Sequence, residues 1–424
     1  MLKAGFSRVD VTPPLGASLE GYFTKRYAKG ILDPIELNAV AVSDGEETAL
    51  IITADFLAMR KEYVDKIRRE ISDRVKISEN NIMVCALHQH TSIALRNADG
   101  NNIMTDRVYL DGLYRKFCDV AEMAVNDMSD AKLFVGKHET DEKISFIRRY
   151  LMNDGTYATN PFGRFADVVR PLRDADNNVR ICRFRREGKK DVALVNFSTH
   201  PDVIGGEFLS ADWPGAVRRF VEADIKNTSC IFITGSQGDS NHWDFTKEEL
   251  CGGYEHSLRM GRIIADTVSK LWDSMDEQDV EKITANVDVV FNRTRTDGIE
   301  RYEEAKRFLE ENSEANGSAE LGNCSRIVRL RNEPIFKQIP ISVINLGNVG
   351  FVGFGGEPFT QYGDDIREKC PDRFLICACN ANGAEGYLPN SEAFAEGGYE
   401  ASSSSFSPEI EEQCIETAEK LLNK

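Results

Sequence analysis

Two histidines follow a short apolar run in a pattern that suits metal chemistry. Residues 82–87 are all apolar, and His88 and His90 come directly after them with one residue between. Such a run predicts a strand buried on both faces, and residues two apart along a strand point the same way. His88 and His90 are therefore expected to aim at one spot and to hold a metal ion. The alternative is a pair of structural histidines, the more common role of a histidine taken alone.

Polar side chains at the ends of other predicted strands extend this pattern. In chain order they are His200, the Gly238-Asp239-Ser240 turn and Glu357, with Tyr387 and Tyr399 after the last strand. Two or three histidines with one carboxylate form the ligand set of a catalytic zinc site, and they also suit non-haem iron. Calcium and magnesium prefer oxygen ligands. Ser240 is a candidate nucleophile, although such a turn more often positions backbone.

No common hydrolase motif assigns the reaction. The sequence has neither a His-Glu-x-x-His motif nor a Gly-x-Ser-x-Gly elbow, which weakens a reading as a zincin protease or as a serine hydrolase. Asp55 ends an apolar run, and we interpret it as a helix-capping group rather than as an acid near the metal.

Buried strands alternating with amphipathic helices predict an α/β fold with mixed sheets flanked by helices. The predicted strands lie at 35–44, 48–57, 82–87, 179–184, 191–198, 229–234, 349–354 and 374–379. Helices are predicted over 60–75, over 106–128, from Asp212 with this acid as N-cap, over about 254–273 and from about 407. Asn153-Asp154-Gly155 predicts a hairpin turn. No linker divides the chain, so residues 1–424 are expected to form a single elaborated catalytic domain, with a charged helical insertion at 298–325.

Composition excludes several functional classes. The chain has 424 residues and a formal charge of −17, which argues against nucleic acid as a partner. No apolar stretch is long enough to span a membrane. The ten cysteines are scattered, and without a secretory signal they are expected to be free thiols in a reducing cytoplasm. The oligomeric state is left open.

A set of motifs in fixed order resembles the neutral/alkaline non-lysosomal ceramidases, in their N-terminal catalytic domain. The resemblance covers nearly the whole chain, and the motifs are specific as an ordered set rather than singly. They are Gly5 with Asp10-Val11-Thr12-Pro13-Pro14 and Gly16, Asp33-Pro34-Ile35, His88-Gln89-His90, Asn196-Phe197 with Thr199-His200, Gly238-Asp239-Ser240, Gly356-Glu357-Pro358-Phe359-Thr360, and two tyrosines twelve residues apart.

This resemblance implies roles for individual residues. It implies a zinc ion held by His88, His200, Glu357 and Tyr387. It also implies that His90 is the acid/base group beside the metal, that Tyr399 binds the oxyanion, and that Arg148 is the substrate-site arginine, with Arg149 as the neighbouring alternative. Ser240 corresponds to a family serine once proposed as nucleophile; beside a zinc site a structural role is favoured.

The expected function is zinc-dependent hydrolysis of the C–N bond of an N-acyl amide, ceramide-like or smaller. The loop His90-Thr91-Ser92-Ile93-Ala94 lacks the glycines and proline of the family's loop, so a smaller amide is at least as well supported as ceramide. The alternatives are an esterase that uses the same zinc site and a non-catalytic relative that binds a small molecule or lipid.

Overall fold

The computed structural model describes residues 1–22, 24–95, 107–312 and 318–424. Two β-sheets pack face to face, and helices cover the outer face of each sheet. The predicted α/β fold with mixed sheets flanked by helices is therefore confirmed. The predicted loop at Asn316-Gly317 lies outside the described residues.

The strands are short except in the two main sheets. In chain order they are β1 (Lys3–Asp10), β2 (Ser18–Leu19), β3 (Arg26–Tyr27), β4 (Gly30–Ile31), β5 (Glu36–Ser43), β6 (Thr48–Ala54), β7 (Ala58–Met59), β8 (Ile82–Ala86), β9 (Ala94–Leu95), β10 (Ser129–Glu139), β11 (Phe146–Ile147), β12 (Arg149–Met152), β13 (Tyr157–Thr159), β14 (Val168–Pro171), β15 (Asn178–Arg186), β16 (Asp191–Phe197), β17 (Phe208–Leu209), β18 (Thr228–Thr234), β19 (Ser240–Asn241), β20 (Asp276–Gln278), β21 (Ile283–Arg293), β22 (Phe336–Leu346), β23 (Val349–Phe354), β24 (Glu357–Pro358), β25 (Phe374–Ala378) and β26 (Tyr387–Leu388).

The helices follow the strands they cover. They are α1 (Lys61–Val75), α2 (Arg107–Asn126), α3 (Asp212–Asp224), α4 (Tyr254–Leu271), α5 (Tyr302–Glu311), α6 (Ala319–Leu330), α7 (Thr360–Lys369), α8 (Ser391–Glu396), α9 (Tyr399–Ser403) and α10 (Ile410–Leu422). Short 3₁₀ turns lie at Glu79–Asn81, Phe165–Asp167 and Ile299–Arg301.

The larger sheet is mixed, with the strand order β18-β16-β15-β10-β1-β5-β6-β8 and β20 paired to β10. Its outermost pairs, β16 with β18 and β6 with β8, are parallel. Residues along β5 alternate between the two faces: Leu37, Ala39 and Ala41 pack with α1 and α2, whereas Val40 and Val42 face the smaller sheet. This two-residue period is that of a strand buried on both faces.

The smaller sheet has the order β21-β22-β23-β25, and its last pair is parallel. Ile344 and Phe351 on its inner face share one core with Ile51 and Leu194 of the larger sheet. Its outer face, with Val343, packs with α7 and α10. Helices α3 and α4 cover the part of the larger sheet that α1 and α2 leave open.

The predicted elements are present with ends shifted by a few residues, but three long strands were not predicted. These strands are β10, β21 and β22. Charged or polar residues alternate with apolar ones in β10 and β21, and Pro340 interrupts β22. No unbroken apolar run marks them, because each leaves part of its length at an edge or near the surface.

Two acidic side chains have roles other than those predicted. Asp55 does not cap a helix: its carboxylate binds the guanidinium of Arg218 at 2.6 and 2.9 Å and accepts a hydrogen bond from the amide of Gln89 at 3.1 Å. Asp212 is the first residue of α3, but the N-cap position belongs to Ala211. Both carboxylates are buried, and each ties strand ends or loops together.

The charged segment at 298–325 contains a 3₁₀ turn, α5 and the first half of α6 among its described residues. The helical structure is as predicted, while its status as an insertion, like the boundaries of one catalytic domain over 1–424, stays a prediction. All ten cysteines are free thiols, and only Cys251 is exposed. Among the described residues, no helix has both the length and the apolar character needed to cross a bilayer.

Candidate metal centre

The predicted site residues meet where parallel strands end. His88 and His90 follow β8, His200 follows β16, and Glu357 follows β23. Tyr387 comes after β25 in the strand β26, which pairs with β24 at Glu357. Because the carboxyl ends of neighbouring parallel strands open one crevice, α/β proteins commonly bind ligands there. Here the crevice lies between the two sheets, and both contribute residues to it.

The loop that carries His88 and His90 is not the end of a strand. Strand β8 stops at Ala86, and His88 adopts a positive φ of 76°, a conformation that few residues other than glycine adopt. The backbone N–H of His88 donates to Phe56 O at 2.9 Å, and that of His90 donates to Pro201 O at 3.0 Å. The two rings do meet, as predicted, but through this fixed turn rather than through strand periodicity.

The side chains of three histidines and one glutamate converge on one point. The Nε2 atoms of His88 and His90 are 3.3 Å apart. Glu357 Oε2 lies 3.1 Å from His88 Nε2 and 3.5 Å from His200 Nε2. One ligand atom from each histidine lies within 4.8 Å of those of the other two. A cation about 2 Å from each ligand requires ligand atoms at this spacing.

Backbone carbonyls fix the orientation of two of these rings. His88 Nδ1 lies 2.8 Å from Leu57 O, and His200 Nδ1 lies 3.0 Å from Gln237 O. A carbonyl only accepts hydrogen bonds, so each Nδ1 carries the proton and each Nε2 presents a lone pair to the cluster. Such outer contacts are typical of histidines that bind a metal.

The residues present fit a divalent cation. Among the described residues, no hydrogen-bond partner is found for the buried atoms His200 Nε2 and Glu357 Oε2, and a buried polar atom without a partner is costly. A cation at the point of convergence would be a ligand for both atoms. The cluster contains one imidazole more than the predicted ligand set, because the ligand atom of His90 also lies within 4.8 Å of those of His88 and His200.

The protonation states of the cluster also suit a cation. Burial and the neighbouring His88 lower the pKa of His90 to about 3, and burial lowers the pKa of His200 well below its usual range. Burial would raise the pKa of Glu357, but His88 and Arg148 outweigh it and leave that pKa below its ordinary value. Neutral imidazoles and an ionised carboxylate are the forms that bind metal.

Arg148, rather than Arg149, faces the cluster. Its Nη2 donates to Gly238 O at 2.7 Å and to the hydroxyl of Tyr387 at 3.1 Å, and its Nε lies 2.6 Å from Glu400 Oε1. Arg149 instead pairs with Glu396 and Gly397 O. The structure therefore places a fixed guanidinium beside Tyr387.

Tyr399 lies at the site, whereas Ser240 lies behind it. The ring of Tyr399 is 5.8 Å from that of Tyr387, and both line the same cavity as the cluster. The hydroxyl of Ser240 is buried and donates to Gln237 O at 3.4 Å, the carbonyl that also orients His200. This position fits the structural role favoured for Ser240.

A cavity of about 250 Å³ opens onto the cluster. Its inner wall contains His88, His90 and Glu357, together with Tyr387 and Tyr399. Ligand atoms at the base of a small cavity leave a place for a substrate group beside a bound cation.

Sequence reasoning missed several residues that build this site. The side-chain nitrogen of Asn380 lies 3.1 Å from His88 Nδ1, Glu400 pairs with Arg148, and Gly21 lies against His90, where an added Cβ would be 2.6 Å from Nδ1. Asn380 follows a predicted strand and could have been found by the rule that identified His200. The close approach of Gly21 depends on tertiary packing, for which one sequence carries no signal.

Comparison with known proteins defines the class of fold. No protein-family model matches the chain, and no curated protein matches its sequence. Among solved structures, neutral ceramidase from Pseudomonas aeruginosa matches with a TM-score of 0.71 at 14% identity, covering 99% of this chain and 74% of that one. A ceramidase complexed with C2 matches with a TM-score of 0.72 at 12% identity and the same coverage. The chain therefore has the fold of the ceramidases, as its motifs predicted.

Proposed function

We propose that this protein is a zinc-dependent amidohydrolase that cleaves the C–N bond of an N-acyl substrate. The observation that carries the proposal is the convergence of three histidines and Glu357, with buried ligand atoms that lack partners among the described residues, at the base of a cavity. The ceramidase fold supports it, because the matching structures are of amide-hydrolysing enzymes by name. A cytoplasmic location stays a prediction.

His88, His200, Glu357 and Tyr387 would hold the ion. When bound, a zinc ion supplies Lewis acidity, which polarises the substrate carbonyl and makes water a nucleophile near neutral pH. The imidazoles are fixed through their Nδ1 atoms by Leu57 O and Gln237 O. Pre-set ligands of this kind lower the cost of ordering the site when the ion binds.

His90 is the proposed acid/base group. Its Nε2 lies 3.3 Å from that of His88, and its Nδ1 has no hydrogen-bond partner among the described residues, so this Nε2 would accept the proton of the water that attacks the amide carbon. The same nitrogen then gives the proton to the leaving amine as the C–N bond breaks. Arg148 and Tyr399 donate hydrogen bonds to the carbonyl oxygen as negative charge develops there.

Metal analysis combined with an amidase assay tests the proposal. Plasma mass spectrometry of the purified protein, before and after chelation, is expected to give about one zinc per chain, with hydrolysis of short N-acyl amides lost on chelation and restored by added zinc. Ceramides and simple esters are assayed in parallel. A protein that binds no metal after zinc is added back, and hydrolyses none of these, would instead be a non-catalytic binding relative.

A further inference from the structure

Cations line the cavity beside the proposed metal centre. Arg60, Arg329 and Lys337 form part of the wall of the 250 Å³ cavity that contains His88 and Glu357. The same three residues line an outer cavity of about 510 Å³. They therefore lie between the two cavities, where a ligand at the cluster can contact them.

Two carboxylates near these cations are already engaged. Glu333 Oε1 lies 2.8 Å from Arg329 Nε and 3.3 Å from Lys337 Nζ, so one carboxylate is shared by two cations. Glu385 Oε1 accepts a hydrogen bond from the backbone N–H of Lys61 at 3.3 Å, at the start of α1. The inner cavity is thus lined by three cations and, apart from Glu357, by one carboxylate that a helix N-terminus engages.

Arg60 is the cation with the most freedom to bind a ligand. It is the N-cap residue of α1, and its side chain makes no capping hydrogen bond. Within the described ranges, its guanidinium has no ion-pair or hydrogen-bond partner, and the residue is partly exposed. A guanidinium presents a planar fork of donors that matches a carboxylate or phosphate. The positive end of the α1 dipole lies beside Arg60 and also favours a negatively charged ligand.

The apolar lining of the inner cavity is small. It consists of Leu57, Ala58 and Ala384 besides the rings of the tyrosines. Sites for drug-sized ligands span about 300–1,000 Å³ and are mainly apolar. A volume of about 250 Å³ suits a compact ligand. Arg329 and Lys337 share one carboxylate, and Arg60 has no ion-pair partner among the described residues. These cations would attract an anion even in a chain whose overall charge is −17, because local charge dominates within a cavity.

We propose that the substrate is a compact N-acyl amide that bears an anionic group, bound by Arg60 with Lys337 and Arg329 while the amide lies at the histidine cluster. This inference rests on the proposed amidohydrolase function and narrows its substrate class. The two kinds of substrate that fit share a carboxylate close to the amide. This carboxylate lies on the amine side in an N-acyl amino acid and on the acyl side in the monoamide of a dicarboxylic acid.

Matched substrate pairs test the charge requirement. N-acetylglycine is compared with N-acetylglycinamide by acetate release, and N-phenylsuccinamate is compared with N-phenylbutyramide by aniline release. The zinc-loaded protein is expected to prefer the anionic member of at least one pair by about ten- to hundredfold in kcat/KM, the worth of one or two hydrogen bonds to a charged group. Which pair shows the preference tells the amine side from the acyl side. Equal rates in both pairs, or faster cleavage of the neutral members, would overturn the proposal.

The variant Arg60→Gln identifies the binding group. It is expected to raise KM for the anionic substrate by about tenfold or more, while the neutral substrate and kcat change little. The control is Arg69→Gln, since Arg69 is an exposed arginine on the same helix that lines neither cavity. An unchanged preference in Arg60→Gln would remove Arg60 from the site.

Binding to the chelated protein separates this inference from the proposed function. Calorimetric titration with N-acetylglycine, N-phenylsuccinamate and their neutral partners requires no turnover. A protein without amidase activity that still binds an anionic member more tightly, with the difference lost in Arg60→Gln, would refute the proposed function and keep the anion site. Equal binding within both pairs, or no binding of any of the four, would refute the anion site whether or not hydrolysis occurs.

Discussion

The three histidines of the cluster are not equivalent. Backbone carbonyls hold Nδ1 of His88 and His200, but no hydrogen-bond partner is found for Nδ1 of His90 among the described residues. A ring fixed on one side is suited to be a ligand, whereas a ring that must accept and release a proton needs less restraint. We therefore expect different consequences from removing each imidazole.

His88→Ala is expected to lose both zinc and activity, and His90→Ala is expected to keep zinc and lose about 10²–10⁴-fold in kcat, the usual contribution of a general acid/base. Metal content by plasma mass spectrometry and steady-state kinetics measure the two effects. Each variant is the control for the other, since they remove the same group two residues apart. Loss of zinc in His90→Ala would make His90 a third imidazole ligand, and stoichiometric zinc in His88→Ala would contradict the ligand assignment.

Arg148 depends on a buried partner. The side chains of Arg148 and Glu400 are 5% and 0% exposed and lie 2.6 Å apart. Because Glu400→Ala leaves a buried guanidinium without its counter-ion, it is expected to lower the free energy of unfolding by about 3–5 kcal/mol. Glu122→Ala is the control, since Glu122 and its partner Arg74 are both 41% exposed and exposed pairs contribute little to stability. Urea unfolding measures both, and equal losses would show that burial of the pair is unimportant.

Residue types predicted much of the site but not its charge pattern. His200 and Glu357 were predicted because each follows an apolar run, and Arg148 only through a resemblance. Arg60 and Lys337 lie 277 positions apart in the chain and share one cavity wall. Neither residue belongs to a motif, and the cavity that they share forms only after the two sheets have packed.

At the scale of elements, the parallel strand pairs determine where the site forms. These strands could be predicted from their apolar runs, since burial on both faces leaves no place for polar side chains. Strands β21 and β22 were missed, because one face of β21 is partly exposed and its alternation is weaker. The turn at His88 was also missed, because nothing in the residue type predicts a positive φ there. Local sequence thus predicted the strands but not the turns that orient the ligands.

The loop after β2 approaches the histidines closely enough to test their packing. Gly21 has a φ of +106°, and a Cβ there would lie 2.6 Å from His90 Nδ1. Gly16 has a φ of +87°, and a Cβ there would meet nothing within 4 Å. Alanine at either position costs about 1–2 kcal/mol for the left-handed backbone, but only Gly21→Ala is expected to displace His90 and to reduce kcat. Thermal unfolding and kinetics measure both variants; equal kcat values would show that His90 has room to move.

At the scale of the molecule, the site exists only when both sheets are docked. His88 and His200 follow strands of the larger sheet. Glu357 and Tyr387 follow strands β23 and β25 of the smaller sheet and lie in the short paired strands β24 and β26. Residues 379–382 form the seam between the two sheets: Asn380 N donates to Gly356 O at 2.8 Å, and Ala86 N on the edge strand β8 donates to Asn380 O at 3.2 Å. Metal affinity should therefore depend on this seam as well as on the ligands.

Asn382 tests this dependence, because its side chain completes the seam. Asn382 Oδ1 accepts a hydrogen bond from Val84 N at 2.9 Å, and its own N–H donates to Val84 O at 2.8 Å. Asn382→Ala leaves the buried N–H of Val84 without an acceptor, at a cost of about 1–3 kcal/mol, and alanine tolerates the positive φ of 56° at this position less well than asparagine does. Since Val84 lies four residues before His88, we also expect weaker zinc binding, measured by competition with a chelator.

Asn345→Ala is the matched control. Asn345 is buried too but lies in β22 of the smaller sheet, where its amide donates to Thr284 Oγ1 at 3.1 Å and accepts from Arg373 Nη2 at 2.8 Å, away from the cluster. This variant is expected to lower stability by a similar amount while leaving zinc affinity unchanged. A comparable loss of affinity in both variants would mean that zinc binding follows global stability alone. A loss confined to Asn382→Ala would show that the seam itself sets the distance between the histidines and Glu357, so that docking of the sheets and formation of the metal centre are one event.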